Sequence, residues 1–221
     1  MLEAVILGIV QGLTEFLPVS STAHLILLPW VFEWSGAVDT LTFDVALHAG
    51  TLCSLLFCFW RDWVDLVSKK HGLLVLLLMA SIPAGVAGLL LNDFVETSMR
   101  SPLLIVFTLI AGGLLMLLAE KAHKHKNVDQ VSRSDALLIG FAQAIAIIPG
   151  VSRSGITISA GLFRGLEREA SARFSFLLST PIIAGAVFLH AKKAIGSPEL
   201  YDMQLFAVGL VVSFCTGVVA I

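Results

Sequence analysis

Residues 8–25 read GIVQGLTEFLPVSSTAHL. The stretch is apolar enough to enter a membrane, yet it carries Gln11, Thr14, Glu15, Ser20, Ser21, Thr22 and His24, and Pro18 interrupts it. A carboxylate near a bilayer centre costs about 2.5–3.5 kcal/mol on insertion scales, so such groups face a partner or a wet cavity and mark function. Pro18 removes a backbone donor and disfavours helix at Leu17. Broken backbone at membrane depth is tolerated only where protein buries it or where it lines a cavity. The stretch is therefore expected to be a re-entrant hairpin: a helix, a proline break and a second short helix.

Residues 140–157, GFAQAIAIIPGVSRSGIT, repeat the theme. Gly8 and Gln11 match Gly140 and Gln143, and Pro18 matches Pro149, each proline being followed by two serines (Ser20 and Ser21; Ser152 and Ser154). Phe43 and Phe174 then open apolar runs at the same point of each half, giving a diverged repeat with a period of about 131–132 residues.

The composition sets the solvent. The chain is 57% hydrophobic and 14% charged, with mean hydropathy +0.92; soluble domains are about 25% charged. This describes an integral membrane protein. A net charge of −2 argues for no nucleic-acid partner, and Cys53, Cys58 and Cys215 lie in apolar runs without metal-ligand or disulfide spacing. No basic leader precedes the first apolar run, so no cleavable signal peptide is expected.

Outward from the hairpins, apolar runs of spanning length occupy 42–60, 73–91 and 103–119 in the first half, and 174–190 and 205–221 in the second. Trp60 and Trp63 mark an interface, Pro83 allows a kink, and the polar stretch 92–101 reads as a loop. The organisation is a single membrane domain, 1–221: repeat one at 1–119, a basic linker at 120–134 read as a solvated loop, and an incomplete repeat two at 135–221. One hairpin and three crossings invert the second repeat relative to the first, which places the hairpins face to face near the bilayer midplane. The same logic expects a last transmembrane helix that this chain lacks.

Orientation follows from the cations. Arg61, Lys69, Lys70, Lys121, Lys124, Lys126, Arg133, Arg164, Arg168 and Arg173 fall on one side, and Arg100, Lys192 and Lys193 on the other. The first set belongs in the cytoplasm, so the acidic connector 29–41 lies outside. Arg153 is the one cation with no membrane surface to go to.

Arg153 sits in PGVSRSGIT. A Gly-containing turn followed by a helix N-terminus is an anion site, with Gly150 supplying the turn. Ser152, Ser154 and Thr157 add hydroxyls, and arginine holds a phosphate bidentately. Glu15 and Gln11, four apart, share a helix face; Glu15 is a ligand for Mg²⁺, a base, or a buried counter-charge for Arg153. His24 can converge with Ser20 and Ser21 as base or acid beside a serine nucleophile. Asp44 and His48, also four apart, either help bind a metal or phosphate or anchor the interface. Together these groups point to a phosphate-bearing substrate with an apolar tail. A membrane transporter or flippase of a lipid phosphate is the second reading, since inverted repeats with broken helices also serve alternating access.

QGLTEFLPVSSTAHL (11–25) and PGVSRSGIT (149–157) strongly resemble the two hallmark motifs of the undecaprenyl-diphosphate phosphatase, or bacitracin-resistance, family. FDVALHAG (43–50), FWR (59–61) and FSFLLSTP (174–181) extend the resemblance over essentially the whole chain. It implies a bacterial inner-membrane enzyme that hydrolyses undecaprenyl diphosphate to the monophosphate and phosphate, recycling the carrier for peptidoglycan and removing the target of bacitracin. It implies Mg²⁺ or Ca²⁺ as cofactor, with Glu15 and Gln11 as ligands; many members have Glu where this chain has Gln11. The expected roles are these: Arg153, itself catalytic, holds the diphosphate with Ser152, Ser154, Thr157, Gly150 and Ser20; Glu15 positions Mg²⁺ or the attacking group; His24 is base or acid; and Ser21 is a nucleophile or an oxygen that orients the substrate. Serine attack and direct water attack both stay open. The site is expected to face the periplasm, and the glycines Gly85, Gly88, Gly112 and Gly113 pack within one chain or between two as a homodimer.

Overall fold

A computed structural model describes residues 1–196 and 202–221, without the side chains at 92, 93, 96 and 193–196; the side chain of Lys193, counted above for orientation, is thus outside the described ones. Ten α-helices and no named strand occur among the described residues. They are α1 (Leu2–Thr14), α2 (Ser21–Phe32), α3 (Leu41–Cys58), α4 (Trp60–Ser68), α5 (His71–Ser98), α6 (Pro102–Glu120), α7 (Arg133–Ile145), α8 (Arg153–Phe163), α9 (Arg168–Gly196) and α10 (Met203–Ala220). Helices α3, α5, α6, α9 and α10 are the five long and apolar enough to cross a membrane. All five expected spans are present. The stretch expected as a loop at 92–101 instead extends α5 to Ser98, and α4, which the sequence reading had not separated, follows the first span.

The packing runs through the same sequence of partners twice. α1 lies on α10, and α7 lies on α5; α3 packs on α10, and α9 on α5. The glycines that opened the repeat explain the seating. A Cβ at Gly8 would meet the Gly209 carbonyl at 2.9 Å, and one at Gly140 would meet the Ala80 Cα at 2.8 Å. Both short helices thus approach a long one backbone to backbone.

α3 and α9 run antiparallel. Thr42, at the start of α3, contacts His190 near the far end of α9, while Asp62, just past α3, pairs with Arg173 near the start of α9. These are corresponding helices of the two halves, so the halves are inverted. The counterparts differ in one cover: α6 packs broadly on α8, but touches α2 only lightly.

Cations and carboxylates gather at the end where α4 lies. Arg173–Asp62, Arg168–Glu120 and Lys70–Asp129 pair there. Asp135 is fully buried and accepts from Arg164 Nε at 2.6 Å, Lys126 Nζ at 3.2 Å and Ser132 Oγ at 2.8 Å. Burial alone raises its carboxyl, but these hydrogen bonds outweigh that and hold it far below the usual carboxylate range. The basic linker is not a free loop. Lys126 bridges to Leu166, and His125 and Lys126 N–H groups reach the Gly165 carbonyl, because an unpaired backbone beside the α8–α9 turn finds donors there.

Candidate active site

Two helices begin at the centre of the molecule. α2 starts after Pro18 and α8 after Pro149. Ser20 and Ser152 occupy the N-cap positions with φ of 63° and 64°, and accept from the N–H of Ala23 and Gly155. Serine is a favoured cap because its oxygen takes an orphan donor of the first turn. Helix geometry leaves the N–H groups of Ser21, Thr22, Arg153 and Ser154 without helical partners. The positive ends of two helix dipoles therefore converge. The turns touch directly: Ser154 Oγ donates to the Leu17 carbonyl at 3.2 Å.

Glu15 stands between them, 4% exposed. Its Oε1 pairs with Arg153 Nη2. Its Oε2 accepts from Ser21 Oγ at 2.6 Å and from Gln11 Nε2 at 2.9 Å, and lies 3.4 Å from His48 Nε2. Arg153 also reaches toward the Ser179 carbonyl at 3.5 Å. A carboxylate in low dielectric needs such partners, and bonds to a charged group are the stronger ones.

Glu15, Ser21 and Arg153 sit at the floor of a cavity of about 260 Å³. Glu15, Ser20, Ser21, Ser152, Arg153, Ser154 and Gly150 all line it. Its walls are apolar, from Ile26, Val45, Ile147, Ile182 and Ile183. Asp44, Arg100 and His190 also line it, beside the ends of α3, α5 and α9 away from the basic cluster. Arg100 Nη1 holds Asp44 Oδ2 at 3.0 Å.

Three expected residues lie apart from the floor. Gln11 is fully buried behind Glu15, bonded also to Thr51 Oγ1 at 3.3 Å. Thr157 bonds the Arg153 carbonyl at 2.7 Å and Ser175 Oγ at 2.6 Å, which spends its hydroxyl on packing α8 to α9. His24 is outside the cavity lining, its Nδ1 on the Ser20 carbonyl at 2.8 Å. His48, given an uncertain place by its spacing from Asp44 alone, is the histidine beside Glu15. Arg100 and His190 carried no signal in the sequence beyond their charge and ring.

For a divalent cation, the donor set is sparse. No three His, Cys, Asp or Glu side chains among the described residues converge as a metal cluster. Glu15 is acidic and central, and the buried Gln11 Oε1 has no hydrogen-bond partner. Gln11 lies outside the cavity lining, which leaves Glu15 as the acidic group at the floor for a cation that draws most of its ligands from a phosphate substrate.

Apolar helices around a cavity whose floor holds a carboxylate, an arginine, serines and two helix N-termini define a multi-pass membrane protein built to handle a lipid-linked anion. The profile of the bacitracin resistance protein BacA family matches residues 4–221. The chain belongs to that family. It is 54% identical over 221 residues to the undecaprenyl-diphosphatase of Thermodesulfovibrio yellowstonii, covering 100% of this chain and 86% of the relative. It is 47% identical to the undecaprenyl-diphosphatase of Moorella thermoacetica (100% and 86% covered) and 49% identical to that of Desulforudis audaxviator (99% and 85%).

Proposed function

We propose that this protein hydrolyses undecaprenyl diphosphate to undecaprenyl phosphate and inorganic phosphate. The names of its relatives favour this phosphatase over the transport reading. The single observation that carries the chemistry is the Ser21 hydroxyl donating to Glu15 Oε2 at 2.6 Å, with Arg153 on the other carboxylate oxygen. The diphosphate lies across the free N–H groups of the two helix starts and Arg153, and the prenyl chain runs along the apolar wall.

Ser21 Oγ attacks the terminal phosphorus while Glu15 takes its proton. The bond to the bridging oxygen breaks, and undecaprenyl phosphate leaves with that proton. Water then attacks the phosphoserine; Glu15 accepts its proton and returns it to Ser21 as phosphate departs. Arg153 and the helix N-termini stabilise charge on the transferring oxygens throughout. Glu15, with Gln11 buried behind it, would be the protein group that holds Mg²⁺ or Ca²⁺, which would supply charge neutralisation of the diphosphate when bound. Asp44, Arg100 and His190 line the cavity at the end away from the basic cluster, which supports an inner-membrane orientation with the site facing the periplasm.

Acid-quenched single turnover of a prenyl diphosphate by detergent-purified protein with Mg²⁺ tests this. A phosphorylated protein forms, and Ser21→Ala abolishes both the adduct and release, by at least about 10²-fold. Wild-type release rates in Ser21→Ala overturn the serine route; no release by wild type overturns the phosphatase.

A further inference from the structure

We propose that the seam between α5 and α9, in the half away from the basic cluster, is the lateral opening through which the substrate's prenyl chain passes from the cavity into the bilayer. The role rests on the phosphatase reading of the site. Both helices start at the basic end, where Lys70, just before α5, pairs with Asp129 and Arg173, near the start of α9, pairs with Asp62. Helical spacing puts Leu77, Ala84, Gly88 and Leu91 on one face of α5. It puts Leu178, Ile182, Gly185 and Leu189 on one face of α9. Near the basic end these faces are closed on each other: Leu77 and Leu178 are buried in one core cluster. Past Ala84 and Ile182 they come open. Leu91, Gly185 and Leu189 are exposed, and Gly88 is half-buried. Each helix carries an internal proline at the change, Pro83 in α5 and Pro181 in α9, and proline is the usual cause of a bend in a helix. Beyond it α9 gives its other side to α3, where Ile183 packs with Leu52 and Leu55.

The open stretch is continuous with the cavity. Ile182 and Ala186 of α9 and Val95 of α5 line it. Ile182 also sets the level of the two helices, since a Cβ at Gly85 would come 4.0 Å from its Cδ1. Three residues further along each helix, a rise of about 4.5 Å, stand Gly88 and Gly185. A Cβ at either would meet nothing within 4 Å. The counterpart seam of the inverted half, between α3 and α10, is shut. There a Cβ at Gly50 would collide with the Leu210 carbonyl, and one at Gly209 would come 2.6 Å from Leu47 Cδ2. Glycine draws one pair of helices together and leaves a gap in the other. A prenyl chain is the occupant because the floor of this same cavity fixes the anionic head, and the apolar tail joined to it needs an apolar way out at membrane depth.

A farnesyl diphosphate with a photoactivatable diazirine in its chain tests the path on the unmodified protein in detergent with Mg²⁺. Adducts are expected on 84–91 of α5 and 182–189 of α9, and excess unlabelled prenyl diphosphate removes them. Adducts confined to other helices, or adducts that the competitor leaves in place, overturn the proposal. Gly88→Leu and Gly185→Leu fill the seam without a clash. Each is expected to raise KM for undecaprenyl diphosphate about tenfold while kcat stays within about threefold. Gly113→Leu, at an equally open glycine of α6, leaves both constants unchanged, and melting temperatures accompany each variant. An unchanged KM in both seam variants overturns the proposal, and so does an equal rise in Gly113→Leu. If the leucine variants fail to fold, the labelling decides by itself. Labelling needs no turnover, so seam adducts on a protein that releases no phosphate defeat only the phosphatase reading. Release with adducts elsewhere defeats only the seam.

Discussion

At the first turn the chain passes from Pro18 through Val19 to Ser20; at the second it passes from Pro149 through Gly150 and Val151 to Ser152. Both serines hold a left-handed φ, both cap the helix that follows, and both helices start toward the same cavity. In register from the caps, Ser21 stands opposite Arg153 and Thr22 opposite Ser154. Earlier in each hairpin, Gln11 is followed four residues on by Glu15, and Gln143 by Ile147. Gln11 donates to Glu15, whereas neither amide atom of the buried Gln143 has a hydrogen-bond partner. The backbone was kept in both halves and the chemistry was divided between them. One turn supplies the acid and the hydroxyl, and the other the cation.

The sharpest way to break this division is to remove either charge. Glu15→Gln or Arg153→Gln is expected to lower phosphate release about 10³-fold. Each also leaves one buried charge alone, at a cost of about 3–5 kcal/mol, and the double variant regains most of that stability without regaining activity. Detergent melting and phosphate release on the three variants read both effects; a single variant that melts like wild type would separate the pair. The extra residue in the second turn gives a smaller effect. Gly150 has φ of +90°, and a Cβ there would collide with Thr108 Oγ1 and meet the Ile105 carbonyl at 2.9 Å. Gly150→Ala should therefore destabilise by about 2 kcal/mol or more. An unchanged melting temperature would show that the second turn has room that the first lacks. The smallest effect is expected at His24. Its removal should leave turnover within about threefold, against the 10²–10⁴ typical of a lost general base. A loss in that larger range would return it to the chemistry.

Much of this was readable beforehand, and the unread part has a physical pattern. The five spans stood out because each needs a long apolar run, and the hairpins because Pro18 and Pro149 break runs dense with hydroxyls. The pairing of Glu15 with Arg153 was one reading among several. Composition shows that both charges are out of place in lipid, but only the fold brings them within reach. His48 was underweighted for the same reason. Its spacing points back to Asp44 on its own helix, while its important neighbour is 33 residues away in the chain. Helix α4 and the last turns of α5 were obscured because Asp62, Asp65 and the polar residues after Leu91 look like loop. The docking of the linker on the α8–α9 turn uses backbone atoms, which side-chain identity does not reveal.

The ion pair between Glu15 and Arg153 joins points 138 residues apart. While the chain is being made, its first half carries Glu15 and Ser21 without the Arg153 that pairs with that carboxylate. Under the mechanism proposed above, catalytic competence arrives only when the second hairpin docks against the first. The same contact thus serves as an assembly check: a molecule that has failed to bring its halves together is also one that cannot act on the cell's supply of wall precursor.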